Sequence, residues 1–364
     1  MKPSEIDESK SIPFLKALSV FAIILANFQS SLFQYLGRDS FPDFFVATAE
    51  ILYYPIFYLL SFTIILSGIL LYRNSKRSES KRSFFSGILL SIVFIHILTI
   101  IMNYSLSAVF YGISEVPLSD IFRWRITNTI SYSFLIVYSL SLKMKTNAML
   151  VLSLIIALSS SYLYAVIERL LEYLPGFLTY LFSALLGIES EWPIFPWISL
   201  MIFGFFFARK FSKKKEKQRT YLYVALIFAI FSVLLGGFYR IHTGRIWELM
   251  YGQPEISFLL GSVSIFIVLF IFLEKYSRFL KYPKYGIVNS YSTGILFIYI
   301  AIVPLTFLNT IYFSEYFHSI TDNFDFMISY LIMFLSFLLL SWILGALSIK
   351  IFHLKKVVIR LKKI

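Results

Sequence analysis

One feature confines this chain more than any other: apolar runs of about 17–25 residues recur from end to end, joined by short polar links. At 1.5 Å per helical residue, such a run covers about 30 Å of hydrocarbon, the depth of a bilayer core. Ten are read along the chain, over 12–35, 50–72, 84–102, 126–142, 148–167, 193–208, 221–238, 256–273, 289–308 and 327–349. An eleventh hydrophobic stretch, 170–188, is broken by Leu174, Pro175 and Gly176 and reads as re-entrant or interfacial. Backbone amides find no water in lipid, so runs of this length must close their hydrogen bonds within a helix. Composition agrees, since 58% of the 364 residues are hydrophobic and only 15% charged, more apolar surface than a soluble domain can hide. The expectation is an all-α polytopic helix bundle, residues 1–364 forming a single integral domain whose partner is the lipid bilayer.

The charges set the orientation. With Met1 in the cytoplasm, the inner segments hold 27 of the 33 Lys and Arg, and the outer segments hold Arg38, Arg123, Arg125, Arg169, Arg240 and Arg245. Acidic residues lean the other way, 14 outside against six inside. Cationic loops resist translocation, so ten spans with both termini cytoplasmic, in a cell membrane, are expected. The net charge of +13 is spread over every inner loop, which fits anionic headgroups rather than nucleic acid. The chain has no cysteine, and so no disulfide framework, metal–thiolate site or thiol nucleophile. No metal site is expected. The acidic opening "MKPSEIDESK" leads into a full-length helix, unlike a cleaved signal peptide. A homo-oligomer is compatible with all of this.

Polar residues in hydrocarbon need a partner or a role. The first run carries Lys16, Asn27, Ser31 and Gln34 along one helical stripe, predicted to face the bundle or a wet cavity. Two outer clusters hold four of the six outer cations. One is "FRWRITNTI", with Arg123, Arg125 and Asn128; the other is "YRIHTGR", with Arg240, His242 and Arg245. Arginine presents a planar fork suited to phosphate or carboxylate, so these residues are candidates to hold an anionic substrate, or to pair with outer carboxylates such as Glu168, Glu172 and Glu248. His96, in "SIVFIHILTI", is the deepest of four histidines. Neither it nor His242 belongs to a metal-ligand or Ser-His-Asp spacing, and no phosphate-binding glycine loop is present.

Six segments resemble, in order, the membrane acyltransferases typified by heparan-alpha-glucosaminide N-acetyltransferase. They are "PFLKALSVFAIILANF", "FTIILSGILLYRNSKR", "IFRWRITNTISYSFLIVYSL", "WPIFPWISLMIFGFFFARK", "YGQPEISFLLGSVSIFIV" and "YGIVNSYSTGILFIYIAIVPL". The fourth is the most specific. Its Pro193 and Pro196 suit the first turn of a helix, its Trp192 and Trp197 suit the headgroup interface, and Gly204 would let a neighbouring helix approach closely.

The resemblance implies transfer of an acetyl or other acyl group from cytoplasmic acyl-CoA to a sugar or lipid-linked glycan outside. Under it Lys16, Asn128 and Asn289 would serve the acyl-CoA, and Arg123, Arg125, Arg240 and Arg245 the acceptor. Asn27, His242 and His96 would be the catalytic candidates. The chain departs from the family's pattern with Lys16 in place of arginine, Ala17 in place of glycine and Ala301 in place of a histidine. The alternative is a transporter or flippase-like protein without acyl transfer.

Overall fold

The computed structural model describes residues 9, 11–36, 43–78, 80–111, 116–121, 125–175, 194–211, 218–243, 256–276, 282, 286–296, 298–299, 301, 304–305 and 323–361. Ten helices carry labels: α1 (Ser11–Leu36), α2 (Asp43–Arg77), α3 (Lys81–Tyr111), α4 (Leu118–Ile121), α5 (Ile126–Lys143), α6 (Thr146–Glu172), α7 (Ile194–Phe211), α8 (Gln218–Thr243), α9 (Ile256–Lys275) and α10 (Asn323–Leu361). Residues 287–296 are helical as well. Among the described residues there is no strand.

Seven helices among these residues are long and apolar enough to cross a membrane, at Ser11–Gln29, Pro55–Arg77, Lys81–Ala108, Ile194–Phe211, Gln218–Gly236, Ile256–Lys275 and Asp325–Lys350. The protein is thus a multipass membrane helix bundle. The three other expected spans are helical where described. Run 126–142 is α5, which is less apolar because hydroxyls and an amide crowd its first turns. Run 148–167 lies in α6, whose apolar part is Thr146–Ser159. Run 289–308 overlaps helical residues 287–296, and from 306 it lies outside the described residues. Stretch 170–188 begins as the last turn of α6, where the Tyr173 amide turns back to the Leu170 carbonyl at 3.2 Å just before Pro175. Its remainder lies outside the described residues.

The contacts divide the chain into two compact units, Met1–Ser9 with Ser61–Lys275, and Lys10–Leu60 with Tyr276–Ile364. In the first, α7 is the central helix, with nearly every side chain buried. Phe195 stands outside the helical region (φ −90°, ψ 127°). The ring of Pro196 disfavours helical backbone in the residue before it, so regular helix begins beyond that point. Pro193 and Trp192 lie outside the described residues. Trp197 corrects an expectation: it is fully buried, edge-on to Phe258 of α9 at 5.9 Å, and therefore packs the interior rather than anchoring an interface.

Gly204 does what its place suggests. A Cβ there would sit 2.0 Å from the Ile65 carbonyl oxygen, and one on Gly68 would sit 2.1 Å from the Met201 carbonyl oxygen, so α2 and α7 cross backbone against backbone. Below the crossing, Phe207 packs edge-on to Phe266 and Phe270 of α9 and to Tyr221 of α8, while Phe211 stacks on it at 5.2 Å. Serines join further helices through carbonyls: Ser153 of α6 donates to Ser199 of α7, and Ser264 of α9 donates to Ala225 of α8.

In the second unit, α1 and α10 share a core with the 287–296 helix. Ala17, Val20, Ile24 and Phe28, one face of α1, meet Tyr291, Phe326, Met333 and Phe337. Here too small residues admit close packing. A Cβ on Gly345 of α10 would come 2.6 Å from the Ser290 carbonyl oxygen, and one on Gly294 would come 2.6 Å from the Gly345 Cα.

Candidate functional site

Helix α3 buries polar residues among Ile88, Ile92, Met102 and Leu106 and turns a mainly apolar face outward. Leu90, Val93, Phe94, Ile97 and Ile101 are exposed, whereas Thr99 and Asn103 are buried. The spacing 96, 99, 103 puts His96, Thr99 and Asn103 on one stripe, one to two turns apart. Positions 125, 128 and 132 on α5 have the same spacing and run antiparallel to it. The two stripes meet rung by rung.

At the lowest rung the His96 and Tyr132 rings lie edge to face, 6.1 Å apart. At the middle rung the Thr99 hydroxyl stands 2.9 Å from Asn128 Oδ1, to which it donates, and 3.1 Å from the Thr127 hydroxyl. At the top Arg125 donates from Nε to Asn103 Oδ1 at 2.9 Å, and Asn103 Nδ2 donates to the Ile121 carbonyl of α4 at 3.1 Å. The backbone explains why Arg125 can do this. It is the N-cap of α5 in extended conformation, and its carbonyl accepts from the Asn128 and Thr129 amides. Its side chain makes no cap hydrogen bond and crosses to α3 instead. Asn103, Asn128 and Thr129 are almost completely buried. Hydrogen bonds of this kind contribute about 0.6–2 kcal/mol each inside a membrane bundle. The ladder can therefore fix α3 to α5 and hold a guanidinium in place at one end of it.

Of the sequence-predicted site residues, the structure thus brings His96, Asn128 and Arg125 onto one interface. Lys16, Asn27 and Asn289 belong to the other compact unit. There Lys16 Nζ reaches the Ser292 carbonyl at 3.5 Å, one turn beyond Asn289 on the 287–296 helix. Asn27 borders the buried face of α1 and donates its amide N–H to the Ile23 carbonyl at 2.8 Å. Asn289 donates to the Tyr282 carbonyl at 3.1 Å. Ser31 and Gln34 lie within the α1 backbone, but their side chains fall outside the described residues, as do those of Arg240 and His242 on α8. Arg123 and Arg245 are outside them entirely, so an approach of Arg125 to Arg240 or Arg245 lies beyond what is described.

Sequence reasoning missed Thr99 and Asn103. The signal was present in the three-four spacing of polar residues through an otherwise apolar helix, read against an apolar stripe on its opposite side. Comparison with protein-family models, with characterised proteins and with solved structures returns no match.

Proposed function

We propose that this is a membrane acyltransferase-like protein, moving an acyl group from cytoplasmic acyl-CoA to a sugar or lipid-linked glycan on the far side. It would cross the membrane ten times with both termini in the cytoplasm. The observation that carries the reading is the buried ladder ending in Arg125, an oriented guanidinium at the start of α5. Arginine held through Nε is suited to orienting an anionic acceptor, because its planar fork matches phosphate and carboxylate. The six resembling segments supply the reaction class, and Lys16 with the inner basic loops would meet the acyl-CoA phosphates.

Binding of acetyl-CoA to purified protein in detergent is the direct test. Saturable binding, with a thermal shift that Lys16→Ala weakens, is the expected result; no binding of any acyl-CoA would remove the transferase reading. The alternative, a transporter or flippase-like protein of the same architecture, draws support from Asn27, whose amide N–H is bonded to its own helix. It also draws support from alanine at position 301, where the resembling enzymes place a histidine. Such a protein should show no acyl-CoA shift at all.

A further inference from the structure

On α10, Trp342, Ile343, Ala346, Leu347 and Lys350 line an open groove of about 330 Å³. These positions follow i, i+1, i+4, i+5 and i+8, so they form one face of a little over two turns, about 12 Å long. Ala346 has the smallest side chain among these lining residues, and Ile343 and Leu347 are exposed. The groove sits beside the stripe of Ser341, Gly345 and Ser348 that α10 turns toward its own unit. Lys350 is the last residue of the apolar span Asp325–Lys350. The groove thus starts in the hydrocarbon zone and ends on an ammonium where the span gives way to a basic segment.

Its occupant must match both halves. Among the described lining residues, Ile343, Ala346 and Leu347 offer only hydrocarbon, which suits an acyl chain. Lys350 is followed by Lys355, Lys356, Arg360, Lys362 and Lys363, and no Asp or Glu occurs after Asp325. A zwitterionic headgroup gains little from such a field, whereas an anionic one gains from every nearby cation. We propose that this groove binds an anionic glycerophospholipid, one acyl chain lying along Ala346 toward Trp342 and the phosphate meeting the Lys350 ammonium. A lipid so held would cover the face of α10 next to its packing seam.

Trp342 supplies the readout. The full chain is reconstituted in phosphatidylcholine vesicles doped with chain-brominated phosphatidylglycerol or with chain-brominated phosphatidylcholine. The Trp342 signal is taken as the difference from Trp342→Phe. Half-quenching should need a several-fold lower fraction of the brominated anionic lipid, and Lys350→Gln should bring the two lipids level. Native mass spectra of detergent-purified protein give a second measure. Phosphatidylglycerol should remain bound to the wild-type chain and be lost from Ala346→Phe, which fills the groove, and from Lys350→Gln. Equal quenching by the two lipids, or retention unchanged in both variants, overturns the proposal. So would an anionic preference that survives Lys350→Gln, since the lipid would then answer to the tail alone. An acidic peptide that displaces the brominated lipid would instead identify the face as a protein-docking surface and equally overturn it.

Discussion

Asn103 bonds in two directions at once, accepting a hydrogen bond from Arg125 and donating one to the Ile121 carbonyl. Leucine has nearly the same volume and can do neither. Asn103→Leu should therefore leave a guanidinium edge and a carbonyl to find new partners, with a loss of about 1–3 kcal/mol in unfolding free energy measured by denaturant titration in mixed micelles. The Thr99–Asn128 contact allows a cleaner measurement. In a double-mutant cycle with Thr99→Val and Asn128→Leu, a coupling of about 0.6–1.7 kcal/mol is expected. Strict additivity would mean that the 2.9 Å contact carries no energy of its own. Asn128 and Arg125 were visible in the sequence because they stand at the head of a helix beside other polar groups. Thr99 and Asn103 were hidden, because isolated hydroxyls and amides in a long apolar run look like ordinary helix–helix glue until the facing helix is known.

At the scale of single helices, crossings are set by residues with no side chain. Gly68→Ala or Gly204→Ala would place a methyl about 2 Å from backbone oxygen, where neither helix can give way by a rotamer change. Either should abolish the α2–α7 crossing and with it most of the monodisperse protein recovered by size-exclusion chromatography in detergent. Gly87 of α3 is the control, because a Cβ there meets nothing within 4 Å. Gly87→Ala should leave folding intact and, through helix propensity, add up to about 1 kcal/mol. Equal damage from all three would show that the close approach is not what the glycines serve. The role of Gly204 was legible because glycine in the middle of a membrane helix has few other uses. The burial of Trp197 was not, since tryptophan beside a helix start suits an interface and an interior equally until Phe258 is seen against it.

For the whole molecule, charge distribution carries more than any motif. The 27-to-6 division of cations fits ten crossings, and the lack of cysteine makes the division testable. Single cysteines replacing Ser80 and Lys145 should react with a membrane-impermeant maleimide only after the cytoplasmic face is opened. One replacing Tyr173, which is exposed just beyond α6, should react in intact cells. Labelling of Ser80→Cys from outside would reverse the orientation. The helical class and the positions of the long spans were readable because a run of apolar residues has one stable form in lipid. The division into two compact units was not, for it depends on which helices meet, and apolar faces look alike in sequence.

The ladder between α3 and α5 bears on how the protein is made. As one of the ten proposed spans, helix α5 would enter the bilayer carrying Thr127, Asn128, Thr129, Ser131 and Ser133 near its start, a poor candidate to leave an insertion channel for lipid unaided. Its matching groups stand on α3, which is synthesised earlier and would stand beside the channel as α5 emerged. Glycosylation mapping of fusion proteins should find α5 inserted inefficiently when expressed alone and efficiently behind α3. Thr99→Val with Asn103→Leu should cut that gain. Chain order would then be part of the fold, with one helix acting as the template on which a less apolar successor enters the membrane.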